Sequence, residues 1–349
     1  MDADTMKVLF IGSTKRGYMT LKALLDNGVV LVGVISLKQD EHEIERFEKP
    51  IEALAAKHGV RHHLAKSVTR VDYARAVPTE SPPDIAFVVG CRVLIPREVY
   101  ELPRLGTLAV HDSLLPDYRG FAPLNWAILN GEPEIGISIH GVHSGLDSGD
   151  ILFRKVIPIG DSETVTDLYR RLNEIQRGAL ADAIEKAVRG ERGLPQDESA
   201  ATYACGRNPE DGEIEWSGST LGIYRLVRAL TSPFPGAFTY FEGKRLLIHK
   251  AEPAPDSRTF VGRVPGRVIA VSRSAGYADV LTADGVLRIF EVHRDEEKPV
   301  AASELIRSTR DTLGLRKSDL LERIEILEKE LAIRQELQPA VAPRPSGKS

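Results

Sequence analysis

The sequence predicts an α/β fold in which helices cover an open parallel sheet, followed by a small β-barrel and a C-terminal helix. Two observations support this prediction. Short apolar runs rich in β-branched residues alternate with helical patterns over the first half of the chain, which is how parallel sheets are built. Several short strand-like runs then follow at close spacing before the last helical pattern, as in small barrels.

Elements of the first half follow one another in strand–helix–strand order. Residues 6–13 form a short apolar run that stops at Gly12, and residues 15–27 carry their leucines on one helical face. A second apolar run at 29–36 completes a βαβ unit, which implies a parallel pair of strands. The predicted elements continue with a helix at 48–58 and strands at 84–89, 107–111 and 136–142.

Composition changes along the second half predict the domain organisation. Residues 190–200 are polar and punctuated by Gly and Pro, which is typical of a linker. We therefore expect a catalytic domain at 1–190, a barrel domain at 201–295, and a helical segment with a disordered tail at 300–349.

The last helical pattern, at 316–335, carries an apolar stripe with heptad-like spacing. The stripe is too short to insist on a coiled coil. It either pairs two protomers into a homodimer, which we favour, or packs on its own barrel. Its members are Leu320, Ile324, Leu327 and Leu331.

Composition and charge limit the class of protein. With 349 residues, 42% hydrophobic and 28% charged, the chain has the make-up of a globular protein with two domains. The formal net charge of -4 disfavours a nucleic-acid partner, although a local basic patch stays open. Cys91 and Cys205 lie far apart, and neither a signal peptide nor a membrane-length apolar run is present. We therefore expect a reducing, cytoplasmic location and no membrane partner.

Two residues at predicted strand ends carry the candidate chemistry. His111 ends the strand at 107–111, and Asp147 lies in a Gly-Leu-Asp-Ser-Gly-Asp loop that follows the strand at 136–142. Open α/β sheets place ligand sites at strand ends, and a histidine oriented by a carboxylate makes a general base. The alternative is structural: a backbone carbonyl satisfies His111, and Asp147 caps a glycine turn.

The segment HDSLLPDYRG, with LDSGDI downstream, resembles the formyltransferase family over roughly residues 6–295. The resemblance is closest to members that formylate sugar-nucleotide amines, such as the UDP-4-amino-4-deoxy-L-arabinose formyltransferase; methionyl-tRNA formyltransferase is related. It implies a Rossmann-like domain, an OB-like barrel that starts within Asn208–Tyr240, and 10-formyltetrahydrofolate as co-substrate. No metal is expected, because the adjacent His62 and His63 would point to opposite faces of a strand.

The resemblance also implies roles for individual residues. His111 would relay the proton of the attacking amine, and Asp147 would orient it. For Arg119, an exposed loop charge is the alternative to a role in loop order. The pterin ring would lie against the backbone of Val93, Leu94 and Ile95 and against His143, Ser144, Gly145, Leu146 and Asp147. Loop support is implied for Ser113, Leu114, Leu115, Pro116, Arg119 and Gly120.

One position departs from the family pattern. The family has Asn-x-His, and its Asn helps to hold the oxyanion, whereas this chain has Ala109 two residues before His111. Loss of one such donor costs about 2.7–4 kcal/mol elsewhere. A substitute donor, a slow variant and altered chemistry are the three interpretations, and we favour the first.

The acceptor is inferred from the stretch at 36–49, where tRNA-acting members carry a basic insertion. Here acidic residues outnumber basic ones, and an acidic loop would repel a tRNA. We therefore expect a small-molecule amine, most simply a nucleotide-linked 4-amino sugar. A methionyl-tRNA acceptor, a 10-formyltetrahydrofolate hydrolase and a non-enzymatic folate-binding protein are the alternatives.

Overall fold

The computed structural model describes residues 6–39, 43, 45–255, 258–294 and 297–337. The chain divides into two compact units, Met1–Glu213 with Leu221–Ala237, and Ile214–Thr220 with Phe238–Ser349. The first unit contains a largely parallel sheet with helices and the second an antiparallel sheet with a terminal helix. The predicted fold class is confirmed.

The sheet of the first unit is parallel on one side and antiparallel on the other. Its order is β3-β2-β1-β4-β5-β7-β8, with parallel pairing from β3 to β5 and antiparallel pairing of β7 with both neighbours. The strands of this unit are β1 Lys7–Gly12, β2 Val30–Leu37, β3 His62–Ala65, β4 Ile85–Val89, β5 Thr107–His111, β6 Arg119–Gly120, β7 Glu134–Gly141, β8 Ile151–Pro158 and β9 Tyr203–Ala204.

Helices cover both faces of this sheet. In β1, Val8 and Phe10 belong to one buried cluster and Leu9 and Ile11 to the other, so the strand is buried on both faces, as parallel strands usually are. Each such side chain contributes about 1.5–3 kcal/mol. The helices are α1 Thr14–Asp26, α2 Glu48–Lys57, α3 Arg70–Ala76, α4 Arg97–Tyr100, α5 Pro123–Asn130, α6 Val165–Val188 and α7 Thr220–Ala229.

Helix α6 was not predicted, although it is 24 residues long. Its start is encoded locally, because Thr164 and Asp167 form a capping box in which each side chain accepts from the other's backbone N–H. Leu168, Leu172 and Leu180 on its inner face are buried. The sequence therefore carries a start signal and an apolar face for this helix, which lies after the two site loops and before the polar stretch at 190–200. The sequence analysis did not identify it.

The second unit is built from short antiparallel strands, in the order β10-β11-β14-β13-β12, with β15 added beside β14. Its register is fixed partly by charge, since Arg288 on β14 donates twice to its cross-strand partner Asp279 on β13 at 2.8 and 2.9 Å. The elements are β10 Ala237–Phe241, β11 Lys244–Pro253, β12 Val268–Ser272, β13 Tyr277–Leu281, β14 Val286–Arg294, β15 Val300–Ala301, α8 Ala302–Leu305 and α9 Lys317–Leu337.

The apolar stripe of helix α9 is exposed to solvent. Leu320, Ile324, Leu327 and Leu331 are each about half exposed, at 46–57%, so packing on the barrel of the same chain is not observed within the described residues. Pairing between protomers stays a prediction. Across the described ranges, no helix is long and apolar enough to cross a membrane.

Residues 190–200 are not a free connector, contrary to our interpretation of them as a linker. Leu194 exchanges backbone hydrogen bonds with Ile151 at the start of β8. Tyr203 and Ala204 then pair in parallel with Arg119 and Gly120. Most side chains of this stretch are exposed, which is why composition suggested a solvated segment, but Gln196 and Glu198 bond to other parts of the chain.

Candidate active site

His111 is the last residue of β5, and its ring is fixed by the loop that follows. The ring is buried, and Nε2 lies 2.8 Å from the carbonyl oxygen of Tyr118. Because a carbonyl can only accept, Nε2 must carry the hydrogen. The other ring nitrogen, Nδ1, faces Asp147 at 3.7 Å from Oδ2, which is beyond normal hydrogen-bonding distance. The structural alternative for His111 therefore holds for one ring nitrogen only: Nε2 is hydrogen-bonded to the backbone, whereas Nδ1 faces Asp147.

Asp147 reaches His111 from the loop between β7 and β8. Its φ of 47° is left-handed, a conformation that side chains other than Gly rarely adopt. Oδ2 accepts from the backbone N–H of Gly120 at 2.8 Å. Burial opposes ionisation, but the neighbouring His111, the contact with His140 and the Gly120 N–H together hold the pKa of the Asp147 carboxyl well below its usual range. Asp147 is therefore an anion at neutral pH.

His140 is the third polar residue at this point, and it comes from β7. Its ring is 2% exposed, and Nδ1 lies 2.9 Å from the carbonyl oxygen of Gly141. Its Nε2 lies 3.5 Å from Oδ1 of Asp147. Ala109 is the direct cross-strand neighbour of His140, so both residues and His111 share one face of the sheet.

The two loops that carry His111 and Asp147 leave opposite edges of the sheet. Because β7 runs antiparallel to β5, Gly141 lies opposite Leu108 and Ser138 lies opposite His111. The chain therefore leaves β7 beside the start of β5 and returns across the sheet face before Asp147. This return explains why Asp147 can contact histidines on two different strands.

The loop after His111 is held by buried hydrogen bonds. Ser138 Oγ donates to the carbonyl of Ser113 at 2.7 Å and accepts from the backbone N–H of Leu115 at 3.2 Å. Ser113 Oγ donates to the carbonyl of Asp117 at 2.6 Å. Leu114 and Pro116 belong to the same turn, and Leu114 packs against Gly136 of β7. These contacts hold the loop in one conformation, and its support of the site stays a prediction.

Arg119 is a buried structural cation, not an exposed loop charge. It is 1% exposed. Its guanidinium donates to Glu198 at 2.7 and 2.8 Å and to Gln196 at 2.8 and 3.1 Å. Gly120, the next residue, has φ 101°, and a Cβ there would come within 2.7 Å of the Ala204 carbonyl. Glycine is therefore required at the position whose N–H binds Asp147.

Gln196 was missed by the sequence analysis, because it lies in the segment interpreted as a linker. Its Nε2 donates to the carbonyls of Asp147 and Gly149 at 2.8 and 2.7 Å. Its Oε1 accepts from Arg119. One side chain thus connects the two loops that carry the site, and no local motif would have revealed it.

A second buried ion pair next to His111 was also missed. Arg16, in the first turn of α1, donates to both carboxylate oxygens of Asp112 at 2.7 and 3.2 Å and also to Asn173. Both side chains are largely buried, at 7% and 12% exposed. The pair joins the first turn of α1 to the residue that follows His111. The two positions are 96 residues apart in the sequence.

The segment expected to receive a pterin ring offers an apolar wall. Val93, Cys91, Ala109 and Val142 are partly buried and pack against the core cluster on the sheet face that carries His111. Leu94 is 70% exposed, whereas Ile95 is buried. Burial raises the pKa of the Cys91 thiol to about 11, so it is not a thiolate nucleophile at neutral pH. In the second loop, the exposed residues are His143, Ser144, Gly145 and Leu146.

A surface depression of about 570 Å³ lies elsewhere, at the amino end of β5. Its lining includes Thr107, Leu108 and His143 but neither His111 nor Asp147. We therefore do not place the chemistry there. Within the residues that the structure describes, no group of three or more His, Cys, Asp or Glu side chains is arranged to hold a metal ion.

Comparison with known proteins decides the family. The family described as formyl transferase matches residues 6–184, and its C-terminal domain matches residues 207–310. The chain belongs to the formyltransferase family. It is an N-formyltransferase, a one-carbon transferase, as the resemblance implied.

Similar curated proteins correct the predicted acceptor. Methionyl-tRNA formyltransferase of Geotalea uraniireducens (strain Rf4) is 32% identical over 306 residues, 86% of this chain and 94% of that protein. The enzyme of the same name from Marinobacter nauticus is 33% identical over 313 residues, 88% and 98% of the two chains. The prediction of an amino-sugar acceptor, with nucleic acid disfavoured, is therefore wrong, and the alternative of a methionyl-tRNA formyltransferase is better supported.

The physical reason for this error lies in the acidic stretch at 36–49, of which residues 40–42 and 44 lie outside the described residues. The acidic side chains that the structure describes in this stretch have partners inside the first unit: Glu45 pairs with Lys15, and Glu48 accepts from the backbone N–H of Gln39. Glu43 pairs with Arg92. Paired carboxylates present little net negative charge, so counting acidic residues overstated the repulsion of a tRNA.

Solved structures with the same fold are more distant. HypX from Aquifex aeolicus in complex with tetrahydrofolic acid has a TM-score of 0.58 at 21% identity, covering 87% of this chain. This chain matches about half the length of HypX, 47%. WlaRD, a sugar 3N-formyl transferase solved with dTDP and 5-N-formyl-THF, has a TM-score of 0.59 at 20% identity and covers 84% of this chain and 99% of that one. At these identities the likeness supports the fold alone.

Proposed function

We propose that this chain transfers a formyl group from 10-formyltetrahydrofolate to the free amine of methionyl-tRNA, in the cytoplasm where charged tRNA is used. The observation that carries the chemistry is the buried imidazole of His111 facing the Asp147 carboxylate. The choice of acceptor rests on the relatives that carry the name methionyl-tRNA formyltransferase across most of their length.

His111 acts through Nδ1. Since Nε2 donates to the Tyr118 carbonyl, the neutral ring has its lone pair on Nδ1, on the side of Asp147. As the amine attacks the formyl carbon, Nδ1 takes the proton that the nitrogen loses. The resulting imidazolium lies next to the Asp147 carboxylate, which stabilises it, and it then returns the proton to the leaving nitrogen of the donor. Proton count and charge balance over the transfer.

The formyl donor fits the residues present beside this pair. A flat pterin requires an apolar wall and backbone groups at its edge. The wall would be formed by Val93, Ala109 and Val142, and the irregular segments at 93–95 and 143–147, which include the exposed Leu94 and residues 143–146, would supply the backbone edge. When bound, the donor supplies the electrophilic formyl carbon. The chain contributes the wall, the backbone edge and the proton-transfer pair.

The experiment is a formylation assay with 10-formyltetrahydrofolate and methionyl-tRNA, with N-acetyl-methionyl-tRNA as the blocked-amine control. His111→Asn should lower turnover by ~10²-fold or more, the scale of general acid–base catalysis, while donor binding survives. His58→Asn, at the exposed end of α2, is the matched control and should retain full turnover.

Three results would contradict the proposal. Near wild-type turnover of His111→Asn would remove the assigned base. Release of formate without any acceptor amine would indicate a hydrolase. Donor binding without turnover on methionyl-tRNA would indicate a binding protein.

A further inference from the structure

We infer that Gln196 is a positioning residue for the transfer: it holds the main chain at Asp147, so that the Asp147 carboxylate stays directed at His111. The inference rests on the proposed function for its effect on turnover, whereas its structural part can be measured without turnover. Gln196 follows Asp147 by 49 residues in the chain, and its side chain reaches the site only because the stretch at 194–204 returns to it.

The amide of Gln196 uses every hydrogen-bonding position that it has. Its Nε2 donates to the carbonyl oxygens of Asp147 and Gly149 at 2.8 and 2.7 Å. Its Oε1 accepts from Nε and Nη2 of Arg119 at 3.1 and 2.8 Å. Carbonyls can only accept and a guanidinium can only donate, so a flipped amide would lose all four hydrogen bonds. The orientation of the side chain is therefore determined by its partners.

The main chain at Asp147 needs such an external hold. Its φ of 47° is left-handed, which is unfavourable for any residue that carries a Cβ. Residues 143–146, which precede it, are exposed, so packing of their side chains contributes little to the loop conformation. Because the carbonyl and the side chain of Asp147 leave the same Cα, a fixed carbonyl restricts where the carboxylate can lie.

Both anchors of Asp147 depend on the same buried cation. The carboxylate accepts from the backbone N–H of Gly120 at 2.8 Å, and Gly120 directly follows Arg119. The carbonyl of Asp147 accepts from Gln196, which Arg119 holds in turn. A guanidinium that donates to Oε1 polarises the amide and makes its N–H a stronger donor. Arg119, 1% exposed and paired with Glu198, therefore fixes Asp147 at its side chain and at its main chain.

Two substitutions separate this role from simple support of Arg119. Gln196→Glu keeps the length of the side chain and the acceptor for Arg119, but it removes both donations to the Asp147 loop. Gln196→Met removes the polar contacts on both sides. We expect both variants to lower turnover on methionyl-tRNA by ~10–10²-fold, the scale for a misplaced catalytic group. Near wild-type turnover of Gln196→Glu would overturn the inference, because it would show that only the contact with Arg119 matters.

A double-mutant cycle tests whether Gln196 acts through the carboxylate. In an Asp147→Asn background the group to be positioned is gone, so Gln196→Glu should lower single-turnover rates by less than ~3-fold. Glu191→Gln, an exposed change in the same stretch, is the matched control and should keep wild-type turnover. An equal loss in the two backgrounds would overturn the inference, because a merely structural role does not depend on Asp147.

Hydrogen exchange measures the positioning without turnover. The N–H of Gly120 donates to the Asp147 carboxylate, whereas the neighbouring N–H groups of Arg119 and Phe121 donate to the carbonyls of residues 202 and 204. In Gln196→Glu we expect exchange at Gly120 to become at least ~10-fold faster, with Arg119 and Phe121 unchanged.

Two exchange results would contradict the inference. Unchanged protection of Gly120 would show that Asp147 holds its place without Gln196. Faster exchange at all three amides would show that Gln196 supports the short strand pair β6–β9 instead of Asp147. A wild-type protein that does not formylate methionyl-tRNA would remove the proposed function, and the exchange comparison would still decide the positioning role.

Discussion

Two pairs of neighbouring histidines, one in each unit, differ in the group that lies between their rings. In the first unit, His111 and His140 both face the carboxylate of Asp147. In the second unit, His249 on β11 and His293 on β14 stack on each other with ring centroids 4.5 Å apart and share a hydrogen bond. Burial and the neighbouring His293 lower the pKa of His249, although Glu291 opposes this. A carboxylate next to an imidazole favours the charged ring, whereas direct contact between two imidazoles disfavours it.

The largest effect is expected when the carboxylate that lies between the first pair of histidines loses its negative charge. Asp147→Asn keeps an oxygen for the Gly120 N–H but removes the negative charge, so the imidazolium formed during transfer loses its partner. We expect turnover to fall by ~10²–10⁴-fold, the range of general acid–base catalysis, with little change in donor affinity. Steady-state kinetics with separate donor-binding measurements would check this. Turnover within a few-fold of wild type would show that the carboxylate is dispensable.

Ala109→Asn is expected to have a smaller effect, and it tests whether the oxyanion position still needs a donor. Position 109 lies directly opposite His140, where cross-strand Cβ atoms are about 4.5–5.5 Å apart. An amide there would compete with His140 for the Asp147 carboxylate. We expect turnover to be unchanged or reduced by up to ~10-fold on a confirmed amine substrate. A gain of 10-fold or more would indicate a crippled oxyanion site and would remove our preference for a substitute donor.

The smallest effect is expected in the second pair, and it concerns stability. Because the pKa of His249 is lowered in the folded state, the unfolded chain binds the proton more readily, so stability is present above the unfolded pKa near 6.5 and is lost as pH falls toward the folded value. His249→Gln should reduce this pH dependence, with Tm changes of roughly 2–4 °C. Thermal melts at several pH values would measure it. An unchanged slope would assign the acid sensitivity to other groups.

How much the sequence revealed depended on how far apart the interacting residues lie. His111 and Asp147 were found because each lies in a recognisable segment, and the strand at 107–111 was predicted to the residue. Whether they act as assigned stays a prediction. The sequence did not reveal that His140 lies beside Asp147, because that position depends on the antiparallel direction of β7. Arg119 left two alternatives open, and Glu198, 79 residues away, decides between them. Such pairings have no local pattern.

The return of residues 194–204 to the site has a consequence for any cut or fusion of this protein. Gln196 and Glu198 hold the Asp147 loop and Arg119, and Tyr203–Ala204 supplies the strand beside Gly120. A polypeptide ending at residue 190, where composition suggested a boundary, would contain every residue assigned to the chemistry. It would lack Gln196, Glu198 and the strand Tyr203–Ala204, which hold the two site loops in place. During synthesis, too, we expect the Asp147 loop to be held in place only after this later stretch has left the ribosome.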